Sequence, residues 1–528
     1  MKRMPAMLVC VAVSALVIGV PSPARGQAVR HLQPPRRAAG PFGATPAASL
    51  QARRGYLVPD PAGLARAKAT ATSRHVALAP ADPSSPVAFR SWKGVYDTSV
   101  SPSDSTGAIG PTRYIELVND QFGIYDRTNN TALSSGTIAT LTGDASGSLT
   151  DPQILWDPGT ARFYYVVLDT SSNVFEVGFS TTDTPTTAAD WCQYTDDPGY
   201  GSSLPDYPKL GDTQDFLLIG VNVFDSNGLY LRSDVDWVTK PAPGPTCPSA
   251  GSFGTGQKQT LKNADGTKAV TPVPVNQIDT SAGGWIIAAK DLTGSTRRTL
   301  SLFSVTTNPD GTANIAGTAT SVIVSTYALP PPAPQKGTTA VLDTMDGRLT
   351  QAVSAIDPTI GSVVIWTQHT ISGGAGSMVR WYEIDPARHL QLQTGNASSA
   401  WLDVFNGAIA PDRAMSAGGS AFGDAMVLAF DTSSSSTDVA FQMVSKIGAG
   451  AQSAFVLVRQ SAGPNVDFTC FAPDGPPCRW GDYAGASPDP AATLTGSHGQ
   501  VWLTDTYNVS STNNTNVDWR TQNVGAAP

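Results

Sequence analysis

Arg479-Trp480-Gly481-Asp482-Tyr483 sets a fixed cation, an indole, a carboxylate and a phenol around one glycine. Two further arginines head comparable polar stretches, Arg348-Leu349-Thr350-Gln351 and Asp412-Arg413-Ala414. A guanidinium presents a planar fork that matches carboxylate, sulfate or phosphate oxygens bidentately. Arg348, Arg413 and Arg479 on one rim would clamp an anion. The competing reading pairs each with its own acidic neighbour: Asp346, Asp412 and Asp482. Upstream, Asp104, Asp151, Asp206 and Lys209 add carboxylates and an ammonium, and Tyr207 and Tyr483 add phenols. Glycoside hydrolysis needs a general acid and a nucleophile, or a base acting on water. Asp151 or Asp206 suits the acid, and Tyr483 with Asp482 suits a tyrosine nucleophile and its helper. Trp480, Lys209 and Gln351 complete the expected ligand-binding set. Asp-Pro and Asp-Tyr-Pro are also ordinary turn chemistry, in which a carboxylate caps its own backbone.

No cofactor is required by these residues, and no metal ligand set is predicted. Five histidines show neither i,i+4 pairing nor HExxH spacing. Calcium is the ion an exported Asp-rich protein would take, at Asp225-Ser226-Asn227-Gly228 or Asn263-Ala264-Asp265-Gly266; neither completes a calcium loop, and both read as tight turns. Nucleotide and serine-hydrolase fingerprints are missing.

The elements that must position these residues are strands. Glycine (50) and proline (41) are abundant, and Glu occurs only at positions 116, 176 and 383, which disfavours long helices. Seven apolar runs, each ending at a polar residue, recur every 50 to 80 residues: 114–119, 163–169, 216–222, 285–290, 363–368, 426–431 and 501–505. Continuous apolar character suits strands buried on both faces. A more polar segment precedes each run, beginning near Asp104, Asp151, Asp206, Pro274, Arg348, Asp412 and Arg479. That interval fits a four-stranded blade, so the chain reads as an all-β protein, a β-propeller of seven blades, with six or eight as the alternatives. The polar segments would line its channel. Ala88-Phe89-Arg90-Ser91-Trp92 would close the ring by joining the last sheet.

Residues 1–28 read as a secretory signal: Met1-Lys2-Arg3, an apolar run from Met7 to Val20, and a small-residue site after Ala24 or Ala28. Residues 29–87 read as a basic, largely disordered linker or pro-segment, with a short helix between Gly63 and Thr72. Residues 1–87 carry eleven Lys+Arg against two Asp, a charge of +9, which leaves −17 on 88–528 of the total −8. An acidic body argues against nucleic acid as the partner. Four cysteines remain after cleavage; Cys470–Cys478 is the local pairing and Cys192–Cys247 follows by elimination.

Asp104-Ser105-Thr106-Gly107-Ala108-Ile109-Gly110-Pro111, Asp151-Pro152, Asp206-Tyr207-Pro208-Lys209, Arg380-Trp381-Tyr382-Glu383 and Arg479-Trp480-Gly481-Asp482-Tyr483 together resemble a family of bacterial secreted β-propeller proteins. The likeness covers most of residues 95–510. It implies fold and export and leaves the activity open. A more distant architectural similarity is to sialidase-like propellers, although the Asp-box S-x-D-x-G-x-x-W is not found. The sequence thus leads to a secreted monomer, not membrane-spanning, that recognises an anionic extracellular glycan or cell-surface component and hydrolyses it. A non-catalytic scaffold propeller is the alternative.

Overall fold

The computed structural model describes residues 29–36, 51–52, 57–71 and 85–528, apart from 129–130, 145–147, 243, 282, 294–295, 417–418, 472–476, 492–497 and 512–516. The expected signal segment lies outside the described residues.

Each apolar run is the second strand of an antiparallel sheet. Sheet one is Thr106–Ile109, Arg113–Val118, Gln121–Asp126 and Ala132–Thr137. Six more follow in the same order, headed by Leu149–Asp157, Leu204–Asp212, Val273–Pro274, Leu349–Asp357, Asp403–Pro411 and Gly485–Pro488. Sheets four and five also join through parallel pairs, Ile323 with Leu390 and Asn276–Gln277 with Val353–Ser354. Each head strand lies against the next, and that of sheet seven returns to that of sheet one. The result is a closed β-propeller with the head strands around its channel. Apolar side chains fill the spaces between neighbouring sheets, as in the cluster of Val364, Trp366, Ile409 and Leu428 between sheets five and six. Among the described residues no helix is long and apolar enough to cross a membrane.

Val87–Lys93 supplies the outer strand of sheet seven, pairing antiparallel with Trp519–Ala527, as the sequence predicts. Trp92 there packs on Tyr114, Tyr125 and Trp502, with ring centroids 5.4–5.7 Å apart. Beneath this seam the buried Glu116 carboxylate accepts from Val95 N (3.2 Å), Tyr125 Oη (3.0 Å), Asn523 Nδ2 (3.0 Å) and Thr504 Oγ1 (3.4 Å). Glu116→Ala strands those donors. At about 1 kcal/mol each, it should cost ~3–4 kcal/mol of stability in denaturant unfolding.

The leader is not wholly a linker. Arg30–His31 adds an edge strand to sheet three beside Gly254–Thr255. Helix Pro61–Thr70 begins at the N-cap Asp60, whose Oδ1 accepts Gly63 N at 2.7 Å, with proline in its first turn. Leu64 and Ala67 pack on the apolar cluster of sheets four and five. Docking of these pieces replaces part of the disordered linker expected there. Both expected disulfides are present, Cys192–Cys247 and Cys470–Cys478.

Candidate functional site at the channel mouth

Five head strands carry, within their first four residues or the two before them, a non-glycine residue in the left-handed backbone region: Asp104 (φ 46°), Asp151 (54°), Tyr207 (61°), Thr271 (49°) and Asn406 (50°). The ladder slips at Asp151, Tyr207 and Asn406, so each sits in a β-bulge. Bulges re-aim side chains, and a tyrosine at positive φ is strained unless its surroundings fix it. The polar residues that end the apolar runs bond the backbone at or beside three of these left-handed positions. Asn119 Oδ1 accepts Asp151 N at 3.0 Å, Asn222 Oδ1 accepts Thr271 N at 2.7 Å, and Gln368 Nε2 donates to Gly407 O. Each staple crosses to the following sheet, which satisfies backbone groups that a bulge leaves open.

At one rim these strands bring together Asp104, Asp151, Asp206, Tyr207, Lys209, Arg348, Arg479, Asp482 and Tyr483. Tyr207 and Tyr483 stack with centroids 4.8 Å apart. Lys209 Nζ lies 3.9 Å from one ring centroid and 3.6 Å from the other. It is buried and makes no hydrogen bond among the described residues. Arg348 Cζ lies 4.6 Å from the Tyr207 centroid. Tyr483 Oη donates to Asp151 Oδ2 at 3.0 Å, and Tyr207 Oη donates to Asp482 O at 2.6 Å. Arg348 forks onto Asp346 at 2.7 and 2.8 Å. Arg479 pairs with Asp482, whose backbone N–H donates to Asp104 Oδ1 at 2.8 Å.

Burial sets the protonation states. It pushes Asp206 up to about 7, with the Asp151 charge adding to the effect. Burial and the Asp482 carboxylate push Asp104 up to about 8, against the pull of Arg479. Burial, then the Arg348 charge, hold Lys209 well below the usual lysine range. Burial and Asp151 push the Tyr483 phenol well up. An acid protonated near neutrality, a phenol bonded to a carboxylate and an amine whose charge burial disfavours therefore share one rim.

Four sequence expectations change. Arg413 is not at this rim. The head strand of sheet six is Asp403–Pro411, so Asp412 and Arg413 follow its far end. Arg413 pairs with Asp279 at 2.7 Å, and Asp279 also accepts Ile356 N at 2.7 Å. Ile356 lies at the far end of the strand Leu349–Asp357, which Arg348 precedes, and eight steps at ~3.3 Å put the two arginines roughly 25 Å apart. The three-arginine clamp therefore fails, leaving Arg348 and Arg479. Asp482 does not help Tyr483, because Arg479 holds its carboxylate; Asp151 takes that place. Trp480 packs with Phe405 and the Cys470–Cys478 bridge, and its Nε1 donates to Asp431 at 2.7 Å, so it offers no stacking face to a sugar. Gln351 Nε2 is committed to Ala486 O, tying sheet five to sheet seven.

The sequence reading missed Leu57 and Lys68. Leu57 N donates to Asp206 Oδ2 at 2.9 Å, and Arg348 Nη2 donates to Leu57 O at 3.4 Å. Lys68 Nζ donates to Thr344 Oγ1 at 2.8 Å and lies 3.4 Å from Asp343. The Asp60-Pro61 helix start was the available signal; what the helix would dock on was not.

The two calcium candidates are turns: Asp225 caps Asn227 N and Leu229 N, and Asp265 caps Thr267 N and pairs with Lys290. Asp412, Asp424 and His498, at the opposite rim, bring ligand atoms within 4.8 Å of one another and could hold a metal. The Asp412 carboxylate there already accepts Gly423, Ala425 and Gly499 N–H groups.

No family model and no curated protein matches the chain. Among solved structures it is similar to extracellular domains 1–2 of Drosophila Semaphorin 1b, at 9% identity and TM-score 0.36 over 83% of this chain and 86% of that one. It is also similar to the Dos1 propeller, at 10% and 0.34 over 84% and 95%. A third is α-L-arabinofuranosidase from Lactobacillus brevis, at 10% and 0.28 over 71% and 89%.

Proposed function

We propose that the chain is a secreted propeller whose channel mouth binds an anionic extracellular carbohydrate and hydrolyses it. The observation that carries this reading is the Tyr483–Asp151 hydrogen bond beside the Lys209 amine, the Arg348 guanidinium and the acid Asp206. Arg348 holds the sugar's anionic group together with Lys209, whose ammonium form the entering anion favours. Asp206, protonated near neutrality, gives its proton to the leaving oxygen as the glycosidic bond breaks. Asp151 accepts the phenolic proton as Tyr483 Oη bonds to the anomeric carbon. Water then cleaves that glycosyl-tyrosine, with Asp206 as the base. The resemblance to secreted propellers belongs to the same proposal.

Release of sugar from sialosides and uronate polymers tests the chemistry. Asp206→Asn should lower kcat by about 10²–10⁴, and Tyr483→Phe should remove the covalent intermediate in quenched-flow mass spectrometry. One observation favours the scaffold reading: Arg348 and Arg479 are each paired with a carboxylate. Binding without turnover in any glycan would select it.

A further inference from the structure

The leader crosses the site just described. Leu57 places one backbone N–H on Asp206 and one carbonyl on the Arg348 guanidinium. It therefore occupies both the proposed acid and a proposed anion-holding cation. Val58 beside it is buried, and Asp60 then starts the helix. The helix is held in two ways. Its apolar side, Leu64 and Ala67, lies on the cluster of sheets four and five. Its last turn places Lys68 on Thr344 and Asp343, in the segment that leads to Asp346 and Arg348.

Two features distinguish this contact from ordinary packing. Lys209, under 2% exposed, has no hydrogen-bond acceptor, although Asp151, Asp482 and Asp104 act on it electrostatically. A structural lysine would be expected to take one of those partners. Asp206 likewise spends an acceptor on a backbone amide of a segment that belongs to no sheet. The helix itself is short and only partly apolar, and ten residues fold stably only against a partner. Its attachment is therefore readily reversible compared with that of a propeller strand.

We propose that Leu57–Ala71 is an autoinhibitory strap that closes the channel mouth over Asp206, Arg348 and Lys209 and is displaced when an anionic glycan enters. This rests on the reading of the mouth as a glycan site. Ligand oxygens would replace the Leu57 carbonyl at Arg348, and the leaving oxygen would replace the Leu57 amide at Asp206. The strap and the ligand compete for the same two groups, so each weakens the other's hold by the same factor.

The test uses the full chain and reads the strap separately from any glycan. Trinitrobenzenesulfonate attacks the neutral form of an amine, which burial favours for Lys209. Peptide mapping after timed exposure at pH 7.5 gives the modification rate at Lys209. In the native chain Lys209 should stay unmodified while surface lysines react. Leu64→Asp/Ala67→Asp, which puts charge on the docking face, should raise the Lys209 rate at least tenfold. Lys68→Ala, a milder change with no new buried charge, should give an intermediate rise and serves if the double variant does not fold. Near-ultraviolet circular dichroism reports that the propeller is intact. Equal Lys209 rates in the native chain and in the folded variants would overturn the strap. Affinity for a sialoside and for polygalacturonate is measured on the same samples. A rise in labelling together with tighter glycan binding supports both readings. A rise in labelling with no glycan bound by any chain keeps the strap and removes the glycan site.

Discussion

Arg479→Ala should cost ~3–5 kcal/mol of folding stability at pH 7, the range for breaking a buried ion pair by removing one partner. Arg479 and Asp482 are both buried and bonded to each other. Asp482 in turn donates its backbone N–H to Asp104. Burial opposes charge on Arg479, yet Asp482, Asp104 and Asp151 together hold its pKa above the usual value. Without the guanidinium, two buried carboxylates face each other with no cation on that side. They respond by binding protons, so the deficit should shrink as the pH falls from 7 to 5. Urea unfolding of both chains at the two pH values checks this. A deficit that grows on acidification would mean the pair does not sit where the structure places it.

The native protein should be more stable at pH 5.5 than at pH 8, by at least ~1.4 kcal/mol for each pH unit crossed, the value of one net proton. Burial raises many carboxylates across the fold. Asp104, Glu176 and Glu383 rise to about 8, and Asp196, Asp206 and Asp431 to about 7, with burial the leading cause in each. Between the unfolded value near ~4 and these values the folded state holds more protons than the unfolded chain. Their contribution is fully present below ~4 and is lost as the pH rises through 7 to 8. Four basic groups act the other way. His369, lowered to about 3 by burial, destabilises the fold below ~6.5; Lys68, Lys209 and Lys446, lowered by burial, do so below the normal lysine range. They are outnumbered by the carboxylates. Depressed carboxylates such as Asp346, held down by Arg348 against its burial, lose their contribution only below ~4. Thermal unfolding midpoints at half-unit steps from pH 5.5 to 8 measure the slope; a rising midpoint with pH would contradict it.

The second strands were legible because they are buried on both faces. Phe163-Tyr164-Tyr165-Val166-Val167-Leu168 can hardly be anything else in a chain so rich in glycine and proline. Their polar last residues were visible too, but their purpose was not: Asn119 and Asn222 bond the left-handed backbone at Asp151 and Thr271 at the start of the next sheet, contacts between distant segments. Polar heads marked the channel strands wherever the strand begins on a charge. Sheet six misled because its channel strand, Asp403–Pro411, is apolar after Asp403 except at Asn406, so the denser charge at Asp412-Arg413, past its far end, took its place. Trp480 misled for a related reason. Side chains next to a channel residue point alternately into the channel and into the packing between sheets, and Trp480 takes the inner course. The strap's hold on the site was illegible because it runs through the backbone of Leu57, which carries no sequence signal.

Calorimetric titration of a sialoside, polygalacturonate and neutral glycans into the native chain, the Leu64→Asp/Ala67→Asp chain and a Lys209→Met chain tests the central claim most directly. Lys209→Met replaces a buried amine without hydrogen bonds by an apolar group of similar length, so the propeller should stay folded. An anionic glycan should bind the native chain and bind the strap variant more tightly. It should bind Lys209→Met at least tenfold more weakly, with no binding of the neutral glycans by any chain. Equal binding of anionic and neutral glycans, or anionic binding that survives Lys209→Met unchanged, would contradict the account.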